Sequence, residues 1–188
     1  MNVACVVIAS QKRAQLLHEV ILPSVVGGIF AEVVVVGDYH PGSDYRYLPV
    51  PPLTNTTIDA LVKRDVGTLA TRAPWVFYLC DDHALRGAAG PIPHDPMVIG
   101  VPRRYATDAE GTIHLCNGGL DERDPNAPYC GGHAGLFSRA LISHQPWTSM
   151  PHHRNWDLIA SQIQVGSGAR LVPITWQVED LEPEAHPW

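Results

Sequence analysis

The sequence predicts an α/β fold, a mostly parallel sheet flanked by helices in a single domain. Three observations carry that prediction. Runs such as VACVVIA, AEVVVVGD and WVFYLC alternate with stretches whose apolar residues recur at helical spacing. Each run is apolar almost throughout, as in strands covered on both faces. The length, 188 residues, suits one domain with a substantial core.

The elements follow in order. Residues 3–9 form the first buried strand, bounded by Ser10-Gln11. Residues 12–27 place Leu16, Leu17, Val20 and Ile21 at helical spacing, with Gly27-Gly28 ending the pattern. Pro23 kinks or shortens that helix, because it lacks the N–H for the internal bond. AEVVVVGD is a second buried strand ending in Gly37-Asp38, followed by a Pro/Gly/Tyr-rich loop with a short strand near Tyr45–Pro49. Residues 57–73 carry Ile58, Leu61, Val62, Val66 and Leu69 on one face, and Thr56 with Asp59 reads as a capping box. The next strand is Trp75–Cys80. This alternation implies right-handed crossovers between parallel strands.

The second half is less regular. A strand at 97–101 and a hairpin around Asp108–Gly111 are expected. APYCGGHAGLFSRALI reads as a Gly-rich turn running into a short helix, and NWDLIASQIQV as a helix with Trp156, Ile159 and Ile163 inward. ARLVPIT is the last expected strand, and the acidic EDLEPEAHPW the tail. No internal repeat or linker divides the chain.

Composition narrows the function classes. With 45% hydrophobic and 17% charged residues, the chain is globular rather than disordered. A net charge of −6 provides no global field for nucleic acid or an anionic membrane. Three basic pairs, Lys12-Arg13, Lys63-Arg64 and Arg103-Arg104, suit a local anion such as a diphosphate. Cys5 and Cys80 lie in apolar runs, and with Cys116 and Cys130 they show no framework spacing, so a reduced, cytoplasmic protein is expected. The basic residues follow the first apolar run, the reverse of a secretory signal, and no run reaches membrane-spanning length.

The chemistry concentrates at strand ends. Open parallel sheets bind ligands beyond the carboxyl ends of their strands. Those ends carry Ser10-Gln11-Lys12-Arg13, Gly37-Asp38 and Asp81-Asp82-His83, which therefore converge on one crevice. Adjacent carboxylates repel unless a cation or a hydrogen-bond network lies among them. Two carboxylates and an imidazole suit Mg²⁺ or Mn²⁺. Bland uses exist for the same residues: Asp38, Asp81 and Asp82 as turn formers, Gly131-Gly132 as a turn, His133, His152 and His153 as loop residues, Trp156 as core. Asp157 fits a helix N-terminus. A rival reading joins Cys80 and His83 with Cys130 and His133 as a tetrahedral zinc site in a non-catalytic binding module.

The order VVIASQKR … VVVVGD … KRDVGTLATRAPWVFYLCDDHAL … CGGHAGLFSRALI … NWDLIASQI … GARLVP resembles small nucleotide-sugar-dependent glycosyltransferases of the GT-A fold, family-2-like. The resemblance runs over residues 3–175. It implies a nucleotide-binding half (1–90), an acceptor and catalytic half (91–180) and an acidic tail (181–188). It also implies that Asp81-Asp82-His83 is the family's acidic motif, in its Asp-any-His form, and that Lys63-Arg64-Asp65-Val66-Gly67 matches its Arg/Lys-rich signature. Donor-binding residues would then be Ser10, Lys12, Arg13, Asp38, Lys63, Arg64, Asp81, Asp82, Gly131, Gly132 and His133. Asp81, His83 and His186, the only His after the last strand, would hold Mn²⁺ or Mg²⁺, and Asp157 would be the base. The chain departs from the family in having Asn155-Trp156-Asp157 where a Glu-Asp pair is usual, and 188 residues leave no room for an extended acceptor domain.

The implied partners are a UDP- or GDP-sugar donor and an acceptor with a free hydroxyl, with a nucleic-acid acceptor not favoured. Nucleotidyl transfer on a similar fold is a second rival, weakened because ASQKRAQ lacks the glycines of a phosphate-binding loop. A non-catalytic domain of transferase origin is a third.

Overall fold

The computed structural model describes residues 2–27, 29–88, 90–107, 110–116, 134–149 and 166–181. Four strands run parallel, as the alternating pattern predicts: β1 (Val3–Ala9) pairs with β2 (Glu32–Gly37) and β4 (Trp75–Cys80), and β2 pairs with β3 (Arg46–Pro49). Beyond β4 the sheet becomes mixed. β8 (Ala134–Ser138) is antiparallel to both β4 and β6 (Val98–Thr107), and β9 (Arg170–Asp180) is parallel to β6. β5 (His83–Gly87) and β7 (Ile113–Cys116) pair antiparallel with β9 and β6. The spatial order is β3-β2-β1-β4-β8-β6-β9-β5, with β7 on β6.

That order forces curvature. β4 and β5 are joined by Asp81-Asp82 alone, yet β8, β6 and β9 lie between them in the sheet. Four inter-strand spacings in a flat sheet span about 19 Å. Three Cα–Cα steps from Cys80 to His83 reach at most about 11 Å. The sheet therefore curls until its β5 edge returns toward the end of β4.

Both faces are covered. Along β1 and β4, Val6, Ile8, Val76, Tyr78 and Cys80 join one core with Leu61 of α3 (Thr56–Ala70), while Val3, Cys5, Val7, Phe77 and Leu79 join the other. That second core is closed by Leu17, Ile21, Leu22 and Val25 from the first helical segment. Full burial of one such side chain contributes about 1.5–3 kcal/mol. Gly67 lets α3 approach the sheet, since a Cβ there would lie 2.3 Å from Val6 Cγ1. At the end of β2, a Cβ on Gly37 would lie 1.9 Å from the Ala9 carbonyl oxygen.

The helical segment begins with a 3₁₀ turn (Gln11–Arg13), continues as α1 (Ala14–Leu16) and a π turn (Leu17–Ile21), and ends in α2 (Leu22–Val25). Pro23 supplies no N–H for the Glu19 carbonyl, and the wider turn accommodates that gap. The cap of α3 differs from expectation. Asn55, one residue before Thr56, accepts the Ile58 N–H through its side chain (3.1 Å), while Asp59 accepts from Leu53 N (3.0 Å).

Three further features of the second half differ. AGLFS is a central strand rather than part of a turn, followed by α4 (Arg139–His144). The β5 strand was not anticipated, because it starts inside the polar motif. β9 continues through Glu179-Asp180, which therefore belong to the sheet rather than the tail. The expected helix over NWDLIASQIQV lies outside the described residues, as does most of the tail. Among the described residues, no helix is long and apolar enough to cross a membrane.

Candidate active site

Register brings the strand ends together. Ala9 is opposite Gly37 and Ile8 is opposite Cys80, so Ser10, Asp38 and Asp81 all emerge at one end of the parallel strands. There Ser10 Oγ donates to Asp81 Oδ2, and Arg13 Nη1 donates to Asp81 Oδ1 at 2.9 Å. The same guanidinium lies 3.9 Å from Asp82 Oδ2. Asp82 Oδ1 in turn accepts from His83 Nδ1. Asp38 is tied to the cluster's chain through Gln11, whose backbone N–H donates to Asp38 Oδ1 at 3.1 Å.

The acids are nearly enclosed: Asp81 is 7% exposed, Asp82 4% and His83 0%. Burial is the main cause holding the Asp81 carboxyl above the usual carboxylate range; Asp82 adds to it, while Ser10 and Arg13 oppose it. A carboxylate so situated favours the approach of further positive charge.

Five predicted residues thus meet: Ser10, Arg13, Asp81, Asp82 and His83. Lys12 is exposed on the 3₁₀ turn. Lys63 and Arg64 lie on α3 and are buried: Lys63 Nζ pairs with Asp59 at 2.7 Å. Arg64 lies over the rings of Tyr78 and Trp147, 5.7 and 5.4 Å from their centroids, and donates to Cys80 Sγ at 3.5 Å. It underpins the residue preceding Asp81 from the core side. Gly131, Gly132, His133, Asp157 and His186 lie outside the described residues.

Two groups escaped the sequence reading. Beside Asp38, Tyr47 donates its hydroxyl to the Gly37 carbonyl (2.8 Å) and packs against His40 at 4.7 Å between ring centroids. His18 Nε2 hydrogen-bonds Tyr39 Oη at 2.9 Å nearby. The Pro/Gly/Tyr-rich loop held that signal in its tyrosines. The second is the partnership of Arg104 with Asp180. Arg104, read from the sequence with Arg103 as a pair suited to an anion, is instead buried in an ion pair with Asp180 at 2.5 Å, and Asp180 stands opposite His83.

The carboxylate oxygens of Asp81 and Asp82 suit a hard cation. Among the described residues, however, no group of three His, Cys, Asp or Glu side chains is placed to hold a metal. The fit is therefore confined to the two acids, with Arg13 as the positive charge facing them. As for the zinc reading, Cys80 faces the core beneath Arg64, and burial pushes its thiol up to about 12. Cys130 and His133 lie outside the described residues.

No protein-family profile and no curated protein sequence matches the chain. Solved structures do. A crystal structure of GalNAc-T7 with UDP, GalNAc and Mn²⁺ superposes with a TM-score of 0.65 at 10% identity, covering 95% of this chain and 42% of that one. The structure of S. aureus TarS 1-349 superposes at 0.61 and 11% identity, covering 98% and 61%. The chain thus spans less than two thirds of either neighbour. Its fold is that of the GT-A glycosyltransferases, a single α/β unit with a curled mixed sheet.

Proposed function

We propose that this chain transfers a sugar from a nucleoside-diphosphate sugar, UDP- or GDP-linked, to an acceptor hydroxyl. The observation that carries the reading is the cluster of Ser10, Arg13, Asp81 and Asp82 at the carboxyl ends of the parallel strands, in a fold of glycosyltransferase type. In the reaction, the bond between the anomeric carbon and the diphosphate oxygen breaks. The electron pair leaves with the diphosphate, and the acceptor oxygen bonds to the same carbon as its proton departs.

Arg13 is the proposed stabiliser of the negative charge that grows on the leaving diphosphate, the electrostatic effect that usually dominates such catalysis. Asp38, with Tyr39, His40 and Tyr47 beside it, is the proposed contact for ribose and base. A divalent cation, Mn²⁺ or Mg²⁺, held by Asp81 and Asp82 with His186 contributing, and with His83 fixing the Asp82 carboxylate through Nδ1, would add Lewis-acid stabilisation of the same leaving group. Asp157 is the proposed base that accepts the acceptor's proton, and Gly131, Gly132 and His133 the proposed contacts to the donor sugar.

The test is calorimetric titration with UDP and GDP, with and without Mn²⁺. Wild type is expected to bind one nucleotide, and Arg13→Ala or Asp81→Ala to weaken it at least tenfold. Binding of neither nucleotide under any metal condition removes the proposal's support.

A further inference from the structure

The buried polar cluster extends past the strand-end motif. Asp180, the last residue of β9, is 1% exposed and stands directly opposite His83 in the antiparallel β5–β9 register. Directly opposed residues project to the same side of a sheet, with Cβ atoms about 4.5–5.5 Å apart. On its other flank Asp180 pairs with Ala106 of β6. Two residues back on β6, and so on the same face, Arg104 donates Nη2 to Asp180 Oδ2 at 2.5 Å and is itself only 9% exposed. One residue further, the Leu181 N–H donates to the Asp82 carbonyl at 2.8 Å. The end of β9 therefore grips two of the three motif residues, Asp82 through its backbone and His83 through its cross-strand neighbour.

Stability alone gives a poor reason for such a pair. Desolvating two charges costs most of what their attraction returns, and well-packed apolar residues often serve a core as well or better. A buried pair of fixed geometry does provide a rigid, directional anchor. We propose that Arg104–Asp180 is a positioning pair. It fixes the end of β9 against His83, and through His83 it orients the Asp82 carboxylate that faces Arg13. Its role in nucleotide binding rests on the glycosyltransferase reading above; its role in placing His83 does not.

The experiment compares wild type with the paired apolar variant Arg104→Met/Asp180→Leu and with Asp180→Asn, which keeps the volume. Three quantities are read: the thermal midpoint, the ¹H–¹⁵N long-range signals of the histidine rings, and the affinity for UDP and GDP. The His83 ring is identified by the signals lost in His83→Gln. The paired variant is expected to melt within a few degrees of wild type, to shift the His83 signals, and to bind nucleotide at least tenfold more weakly. A folded paired variant with His83 signals and nucleotide affinity both unchanged overturns the proposal. Should the paired variant not fold, Asp180→Asn decides in the same terms, with a threefold or greater loss expected. A wild type that binds neither nucleotide sinks the transferase reading by itself, and the His83 signals then settle the positioning role alone.

Discussion

Replacing Gly37 with alanine tests whether the ends of β1 and β2 are as closely matched as the register implies. The new Cβ would lie 1.9 Å from the Ala9 carbonyl oxygen and 2.8 Å from its carbonyl carbon, more than an ångström short of ordinary contact with that oxygen. Both obstructing atoms are backbone, so no side-chain rotation relieves the clash. The strands must part where Ala9 faces Gly37, at the last register position of their pairing. Overpacking of this kind costs about 1–3 kcal/mol, and a disturbed ladder hydrogen bond about 1 kcal/mol more. The expected loss is therefore about 2–4 kcal/mol, or a fall in thermal midpoint of roughly 5–15 °C for a chain of this size.

Two controls calibrate that number. Gly27→Ala meets nothing within 4 Å and should stay within about 0.5 kcal/mol of wild type. Gly67→Ala meets Val6 Cγ1 at 2.3 Å, but that atom belongs to a side chain, and alanine improves helix propensity by about 1 kcal/mol, so an intermediate loss is expected. The assay is urea denaturation followed by circular dichroism, with thermal melts alongside. A Gly37→Ala protein as stable as Gly27→Ala would refute the close approach and the registration of Asp38 that depends on it.

Three other predictions concern buried polar groups. Burial raises the folded Asp81 carboxyl above its usual value, so the folded chain holds that proton more tightly than the unfolded one does. The stability this contributes is fully present below pH ~3.8 and is lost as pH rises through the folded value. Asp81→Asn should accordingly gain stability relative to wild type between acid and neutral pH, read from urea midpoints; a difference that is flat or falls with pH contradicts the desolvation argument. Tyr78→Phe removes the oxygen that accepts from Trp147 Nε1 at 3.1 Å and bonds Thr68, and should cost about 1–3 kcal/mol by chemical denaturation. Burial raises the thiols of both Cys5 and Cys80, so neither should be alkylated at pH 8 in the native protein, and both should react in denaturant, as peptide mapping would reveal.

The first half of the fold was legible because its strands are buried on both faces, and such strands announce themselves as unbroken apolar runs. VACVVIA and WVFYLC needed no context. AGLFS, by contrast, has small residues where it crosses the crowded middle of the sheet. Gly100, which pairs with Leu136, would bring a Cβ within 3.1 Å of it. Small residues there satisfy packing and erase the strand signal together. β5 was hidden for another reason: its first residue, His83, belongs to a polar motif, and the pairing of His83 and Ala84 with Asp180 and Glu179 is a long-range fact. The same blindness covered Arg104–Asp180, whose members lie 76 positions apart. At the site, Ser10, Arg13 and the Asp81-Asp82-His83 run were readable because strand-end geometry places them together. Lys63 and Arg64 were readable as charges, but their burial against Asp59 and between Tyr78 and Trp147 depends on packing that no local pattern encodes.

The two-residue link between β4 and β5 gives Asp81 and Asp82 a mechanical duty besides their chemical one. They set the distance over which the curled sheet must close, so their number is constrained independently of their charge. One inserted residue would slacken the closure and turn the register of β5 against β9 by one position, exchanging its inward and outward side chains. Substitutions at these two acids thus probe chemistry, whereas insertions and deletions between Cys80 and His83 probe architecture. Any chain built on this plan can vary the letters of the link far more freely than its length.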